Sequence, residues 1–385
     1  SGRIIEPHGG KLIQQFSNDQ SDNPDSEIMV SEEVLTDSFQ IANGTYSPLE
    51  AFMSLEQMKS VLYNNSIGDL VTWTIPIIFQ VDAKMINRIP KSDYLFLKKE
   101  KESQPNVILK IDKIEKLKNK KQLAQLWFGT QDEKHPGVLK FLSSGDYIIS
   151  GKPYILNNFN SKGKNKYELT PSQSRFVFDH NGWHNVIGFH TRNVPHLGHE
   201  HIQKQALANT NADAIFISPV TGVKKAGDFL ADPIIKCYEL LIREGVYDPY
   251  GAIIGSFNTH SRYSGPREAV FTAICRQNYG CNYFIVGRDH TGVGNYYDPD
   301  ASIKLLDKLE LDIKVLTFNS VGFSKGQGFV EKLAGNQEDG FEQISGSLIR
   351  EKIINDDDIP DYMMRPTIVK LLQDLKKIGS NTLFH

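Results

Sequence analysis

The alternation of apolar and polar positions changes character near residue 165. Upstream, short apolar runs are broken by turn formers. Leu70-Val71-Thr72-Trp73-Thr74-Ile75 and Asp146-Tyr147-Ile148-Ile149-Ser150 read as strands, the second opening after Gly145 and closing at the turn Gly151-Lys152-Pro153. Between them, residues 98–121 crowd Lys and Glu around β-prone pieces such as Val107-Ile108-Leu109-Lys110-Ile111, the pattern of a solvated face. The polar stretch 157–166 reads as a linker. Downstream, strands are predicted over 185–189, 214–217, 252–255, 283–286 and 313–316. Helices are predicted over 197–208 and near 233–243, 266–277 and 302–309. This alternation specifies a parallel, doubly wound sheet, because each return to a parallel strand needs a crossover connection. Ligands of such sheets collect at the carboxyl ends of the strands. Residues 319–344, rich in Gly, Lys, Glu and Gln, show no period. Ile344-Ser345-Gly346-Ser347 then reads as a turn and cap opening a helix at Leu348, and 367–378 reads as a terminal amphipathic helix. The predicted organisation is a β-rich region over 1–165, an α/β region over 166–320 and a small C-terminal region over 321–385.

Length agrees with this division, since 385 residues suggest two or three domains. With 43 basic against 46 acidic side chains, the chain lacks the excess needed to hold duplex nucleic acid by counterion release, so any anion site is local. The longest apolar stretch is broken by Pro76 and Gln80, short of the ~20 residues a membrane helix requires. No signal segment opens the chain, and a cytoplasmic location is expected. Cys237, Cys275 and Cys281 are odd in number and lack C-x-x-C spacing, which argues against a disulfide framework.

Histidine is unevenly placed: eight of the eleven lie between His180 and His290, five of them between His184 and His201. Directly after the first strand of the predicted parallel sheet comes His190-Thr191-Arg192-Asn193-Val194-Pro195-His196-Leu197-Gly198-His199-Glu200. With a helix starting near Pro195, which suits a first-turn position, His196 and His199 stand three apart on one face. Free amides at that end favour phosphate, and two imidazoles add donors without a permanent charge at neutral pH. The same spacing also admits chance, or a metal site with Glu200 and His201. Arg192 and Asn193 in the same loop favour phosphate. A second loop, Gly287-Arg288-Asp289-His290-Thr291-Gly292-Val293-Gly294, follows the fourth strand; its glycines let backbone approach a ligand, while Arg288 and His290 supply donors. Alone it reads equally as a turn. A third basic element, Ser261-Arg262-Tyr263-Ser264-Gly265-Pro266-Arg267-Glu268, reads equally as a helix cap with surface charges.

Together these segments resemble the ATP sulfurylase (sulfate adenylyltransferase) family, which carries Q-T-R-N-x-P-H-x-x-H, R-Y-A-G-P-R-E and G-R-D-H-A-G motifs in this order. Pro7-His8-Gly9-Gly10, the segment 44–53 and Ile344-Ser345-Gly346-Ser347-Leu348-Ile349-Arg350 also match, so the resemblance spans nearly the whole chain. It implies a PUA-like domain of β-barrel type over 1–165, a Rossmann-like HxxH nucleotidyltransferase domain over 166–320 and a small C-terminal α/β domain over 321–385. No G-x-x-x-x-G-K-[ST] occurs, so a single-function form without a fused kinase is expected. The implied reaction is attack of sulfate on the α-phosphorus of ATP, giving adenosine 5′-phosphosulfate and pyrophosphate without a general base. Magnesium is expected with ATP, held mainly by phosphate oxygens and water. A homodimer or larger homo-oligomer is implied, with no nucleic-acid or membrane partner.

The resemblance gives sulfate to His190, Arg192 and the backbone at Thr291. Thr191 and Asn193 fall to the nucleotide, Asn193 at the α-phosphate. His196 and His199 take the β- and γ-phosphates and the departing pyrophosphate, Arg288 meets the phosphates, and Gly287 and His290 help bind nucleotide. Arg192, Asn193, His196, His199 and Arg288 form the implied catalytic set. Three departures stand out. His190 replaces the family's Gln, which makes sulfate affinity pH-dependent if the ring titrates. Thr291 replaces Ala. Residues 319–344 lack the cysteines of the family's zinc element, so no structural zinc is expected. Two alternatives stay open: another HxxH adenylyltransferase, and a non-catalytic nucleotide-binding regulator.

Overall fold

The computed structural model describes residues 3–19, 26–68, 70–89, 92–156, 165–287, 293–331, 341–379 and 381–385. The N-terminal strands are β1 (Phe16–Ser17), β2 (Glu27–Met29), β3 (Phe79–Val81), β4 (Tyr94–Lys98), β5 (Val107–Lys116) and β6 (Tyr147–Leu156). They pair in the order β1–β6–β5–β4–β2, with β3 antiparallel to the first part of β6. β5 is buried at its start and turns its Lys- and Glu-rich second half mostly to solvent, as the charge run predicts. β6 does not close at Gly151-Lys152-Pro153 but runs on to Leu156. A Cβ on Gly151 would stand 2.2 Å from the Lys110 carbonyl oxygen, so this glycine serves a close strand approach and not a turn. The run 70–75 yields only the strand Val71–Thr72, after which Trp73 and Ile75 enter the core fully buried.

This region also holds helices that the β-rich reading leaves unpredicted, including α1 (Glu32–Ala42) and α2 (Leu55–Asn64). Their starts are nevertheless encoded locally. Ser31 Oγ accepts from the Val34 N–H, and Ser54 with Gln57 forms a reciprocal capping box.

The parallel sheet follows the predicted alternation: β7 (Val186–Thr191), β8 (Ala214–Thr221), β9 (Gly251–Ile254), β10 (Tyr283–Gly287) and β11 (Lys314–Phe318). Crossover helices are α3 (Leu197–Thr210), α4 (Ala231–Arg243), α5 (Pro266–Tyr279) and Ala301–Lys308. The strand order is β9–β8–β7–β10–β11, all parallel. Sequence order therefore reverses between β7 and β10, which opens a crevice at their carboxyl ends. α5 is buried from Glu268 through Tyr279, because it lies between the parallel sheet and N-terminal residues such as Tyr46 and Trp73 and not on a surface. One apolar core joins Trp73, Phe79 and Leu109 to Phe271, Ile274 and Val186, so the N-terminal and α/β regions share a continuous interior.

The aperiodic stretch after β11 forms a small antiparallel sheet, β13–β12–β14, from β12 (Val321–Ser324), β13 (Gly328–Glu331) and β14 (Phe341–Gln343). Strands of three or four residues are too short to display a period. Ser345 then caps α6 (Gly346–Ile354) by accepting from the Leu348 N–H, and α7 (Pro366–Ile378) ends the fold. Ile344 and Ile349 pack into the same core as Ile187, Phe189 and Val194, which seats the C-terminal region against the first loop of the parallel sheet. No helix among the described residues is long and apolar enough to cross a membrane.

Candidate active site

The loop after β7 is folded by its own side chains. Thr191 Oγ1 donates to the Asn193 carbonyl at 3.0 Å and accepts from the Asn193 N–H at 3.2 Å, closing a tight turn. Pro195 precedes the helix and does not open it: His196 keeps extended backbone and is the N-cap of α3, which begins at Leu197. The His196 N–H donates to His199 Nδ1 at 3.3 Å, and the His199 N–H donates to His196 Nδ1 at 3.2 Å. Two imidazoles thus form a capping box usually built from hydroxyl and carboxylate. Their rings stack with centroids 3.6 Å apart. Gly198 makes room, since a Cβ there would lie 2.9 Å from His196 Cε1.

This geometry fixes protonation. A backbone N–H only donates, so both Nδ1 atoms hold lone pairs and each neutral ring carries its proton on Nε2. Burial pushes His196 well below the usual histidine range, with His199 adding repulsion, and burial lowers His199 to about 4. The pair consequently offers two uncharged Nε2–H donors at a helix N-terminus, the arrangement that suits phosphate oxygens. The metal reading loses its carboxylate, because buried Glu200 accepts from Arg365 Nε at 2.9 and 3.0 Å. Among the described residues, no group of three His, Cys, Asp or Glu is arranged to hold a metal ion.

At the end of β7, His190 places Nδ1 3.0 Å from Nη2 of Arg276 on α5. Arg192 lines a cleft of ≈ 240 Å³ together with Lys224, Lys225, Asp228 and Tyr263. Lys224 Nζ donates to the Val220 carbonyl at 2.6 Å, and burial with the nearby Arg192 lowers its pKa to about 8. Lys225 lies over the Tyr263 ring at 4.5 Å. Sequence reading passes over both lysines, although their place directly after β8 is a usable signal. Asn193 abuts the C-terminal region: a Cβ on Gly346 would stand 2.8 Å from its carboxamide, and Asn193 Oδ1 is buried with no partner among the described residues. A buried acceptor left open in this way needs a donor from outside the protein, a water molecule or a ligand N–H or O–H.

The third basic element is not a cap with surface charges. Arg262 forks onto Asp37 of α1, Nη2 to Oδ1 at 2.5 Å and Nη1 to Oδ2 at 3.2 Å, and Nη2 also donates to the Tyr46 hydroxyl. Despite burial, Arg262 and His260 hold the Asp37 carboxyl far below the usual carboxylate range. Arg267 donates to the carbonyls of Val61, Leu62, Thr74 and Leu126 and to Asn65 Oδ1. The segment fastens the α/β region to the N-terminal one. Gly287 ends β10, which pairs with β7 through Tyr283–Ile187, Phe284–Gly188 and Ile285–Phe189. Arg288, His290 and Thr291 lie outside the described residues, as do positions 157–164 of the predicted linker.

Comparisons with known proteins agree with these motifs. Residues 165–375 match the ATP-sulfurylase family, and residues 5–158 match a PUA-like domain. A sulfate adenylyltransferase of Pyrococcus abyssi is 37% identical over 382 residues, covering 96% of this chain and 98% of the relative. That of Cenarchaeum symbiosum is 35% identical over 96% of each chain. One from Halothermothrix orenii is 32% identical over 96% of this chain and 98% of its own. A solved structure, the hexameric APS kinase from Thiobacillus denitrificans, superposes with TM-score 0.73 over 97% of this chain and 68% of that one; at 17% identity it speaks to the fold. On the span of the family match and the near-full-length identity, the chain belongs to the ATP-sulfurylase family.

Proposed function

We propose that this chain is a sulfate adenylyltransferase that joins sulfate to the adenylyl group of ATP, forming adenosine 5′-phosphosulfate and releasing pyrophosphate. The observation that carries this reading is the paired histidine cap beside Arg192 at the point where the sheet reverses. Sulfate at neutral pH has no proton to lose before attack, so the reaction needs no general base. Its obstacle is repulsion: two unit negative charges ~4 Å apart oppose each other by about 4 kcal/mol at an effective dielectric near 20. Aimed donors and fixed positive charge offset this repulsion where it is greatest.

The division of roles follows from the donors. Arg192, with a fork suited to two oxygens, and His190 hold sulfate together with the backbone at Thr291. Thr191 shapes the turn that presents Asn193 to the α-phosphate. His196 and His199 give their Nε2–H groups to the β- and γ-phosphates and stay with departing pyrophosphate; Arg288 meets the phosphates, and Gly287 and His290 border the nucleotide. A divalent metal accompanies ATP in this family, and we assign magnesium. We assign it to phosphate oxygens and water, ligands that Mg2+ ordinarily retains. Three buried free thiols suit a reducing compartment such as the cytoplasm, and the hexameric structural relative supports a homodimer or larger homo-oligomer.

The test is an assay with ATP, magnesium and sulfate, monitored for pyrophosphate, with molybdate as an alternative oxyanion. Sulfate-dependent pyrophosphate release is expected. Release independent of either oxyanion, or none at all, refutes the assignment.

A further inference from the structure

We propose that Arg276 is a positioning residue of the oxyanion site: it holds His190 as a neutral ring whose single N–H is at Nε2, so that a histidine serves as a fixed donor. The inference rests on the oxyanion role given to His190 above, but the tautomer can be measured without it.

A guanidinium has only donors, so the 3.0 Å contact between Arg276 Nη2 and His190 Nδ1 requires a lone pair on Nδ1. A doubly protonated ring would set two N–H groups against each other there. The proton of the neutral ring is left at Nε2, on the other side of the imidazole from Arg276. The same Nη2 donates to Ser218 Oγ at 2.9 Å, which fixes the guanidinium from β8. The rings of Phe257 at 4.0 Å and Phe284 at 5.6 Å flank it. On β7, Gly188 makes space for its stem, since a Cβ there would come within 3.0 Å of Arg276 Cγ.

Charge acts in the same direction. Arg276 is fully buried, and among the described residues the titratable groups beside it, apart from His190, are Cys275, Tyr279, Cys281 and Arg192. Burial pushes both thiols and the phenol up to about 12, so none is an anion at neutral pH. Among the described residues its Nε and Nη1 atoms have no hydrogen-bond partner and no carboxylate pairs with it. Burial itself lowers the guanidinium to about 10, still charged at neutral pH. A buried cation with no counter-ion among the described residues favours an incoming anion and opposes a second positive charge on the neighbouring imidazole. Arg192, in the same loop, opposes it as well. The pH-dependent sulfate affinity expected of an imidazole is then absent.

The test uses the full chain with 15N-labelled histidine. Long-range 15N–1H spectra from about pH 5.5 to 8 bracket the ordinary histidine pKa near 6.5, and His190→Gln identifies the resonance by its loss. The expected result is a His190 ring with an unprotonated Nδ1 and a protonated Nε2 that does not titrate in this window. A ring that titrates, or one protonated at Nδ1, overturns the proposal whatever the enzyme catalyses. Arg276→Met keeps the apolar volume and removes the donor. Its expected effects are His190 titration and a sulfate KM about ten-fold higher, equivalent to ~1.4 kcal/mol, with ATP KM held; adding His190→Gln abolishes the new pH dependence. A folded Arg276→Met chain with an unchanged His190 spectrum refutes the positioning role. If that variant does not fold, the unmodified chain's spectrum decides alone. Absence of sulfate-dependent turnover would defeat the functional assignment while leaving the tautomer result standing.

Discussion

Two basic segments of the parallel-sheet region look alike in sequence and are used in opposite ways. In the loop from His190 to His199, internal hydrogen bonds occupy the acceptor nitrogens of three imidazoles, and Arg192 faces a cleft. In the segment from Arg262 to Glu268, the arginines are already held by the protein: Arg262 by Asp37 and Tyr46, Arg267 by four carbonyls and a carboxamide. Both segments belong to family motifs. The difference teaches that a basic residue's role is read from what already fills its donors, and the motif alone does not supply that.

The comparison breaks first at Arg262. Arg262→Met leaves Asp37 buried without its cation and should cost ~3–5 kcal/mol in denaturant unfolding of the full chain, with part recovered by adding Asp37→Asn. Lost turnover at unchanged stability would instead make Arg262 a ligand contact and erase the distinction. Arg192→Ala should do the reverse: turnover falls about 10²-fold or more, while the unfolding free energy stays within ~0.5 kcal/mol. Wild-type turnover in that variant would remove Arg192 from the site.

Smaller effects sharpen the contrast. Gly346→Ala forces a methyl group to 2.8 Å from the Asn193 carboxamide, and overpacking of ~1–3 kcal/mol should appear as reduced kcat together with a lower Tm. Unchanged kinetics would detach the C-terminal region from the site. The stacked histidines make a pH prediction. Their folded pKa values lie below the unfolded value near 6.5, so the unfolded chain binds more protons beneath it. The stability of the neutral pair is complete above about pH 6.5 and is lost as pH falls towards 4, by ~1 kcal/mol or more. His199→Asn should flatten that part of a Tm-against-pH curve, and an unaltered slope would show that the rings do not supply it. The smallest effect concerns Lys224. As pH rises through about 8 the ammonium loses its charge, so the KM of the anionic substrates should climb a few-fold, and Lys224→Gln should be flat over the same range.

Much of this is legible in residue order because it is local. Buried parallel strands such as β7 and β8 are mostly apolar runs, and His190 near the end of the first, Arg192 in the loop after it, His196 at the cap of α3 and His199 in its first turn fall within ten residues. The stub strands of the C-terminal sheet and the helices α1 and α2 are less visible. The former are shorter than any period; the latter carry caps and a buried apolar face, such as Met58, Val61 and Leu62 on α2, which the β-rich reading passes over.

By itself the sequence determined the alternation of strand and helix, the loop that carries the donors, and the family. Only the tertiary structure decided which charges those donors feel. Arg276, Lys224 and Gly346 come from three other segments, and they reach the loop because the strands order as β9–β8–β7–β10–β11 and the C-terminal region docks on α3. Periodicity is set by neighbours a few residues away. Desolvation and charge compensation are set by neighbours in space, and these remain undefined until the sheet has chosen its order.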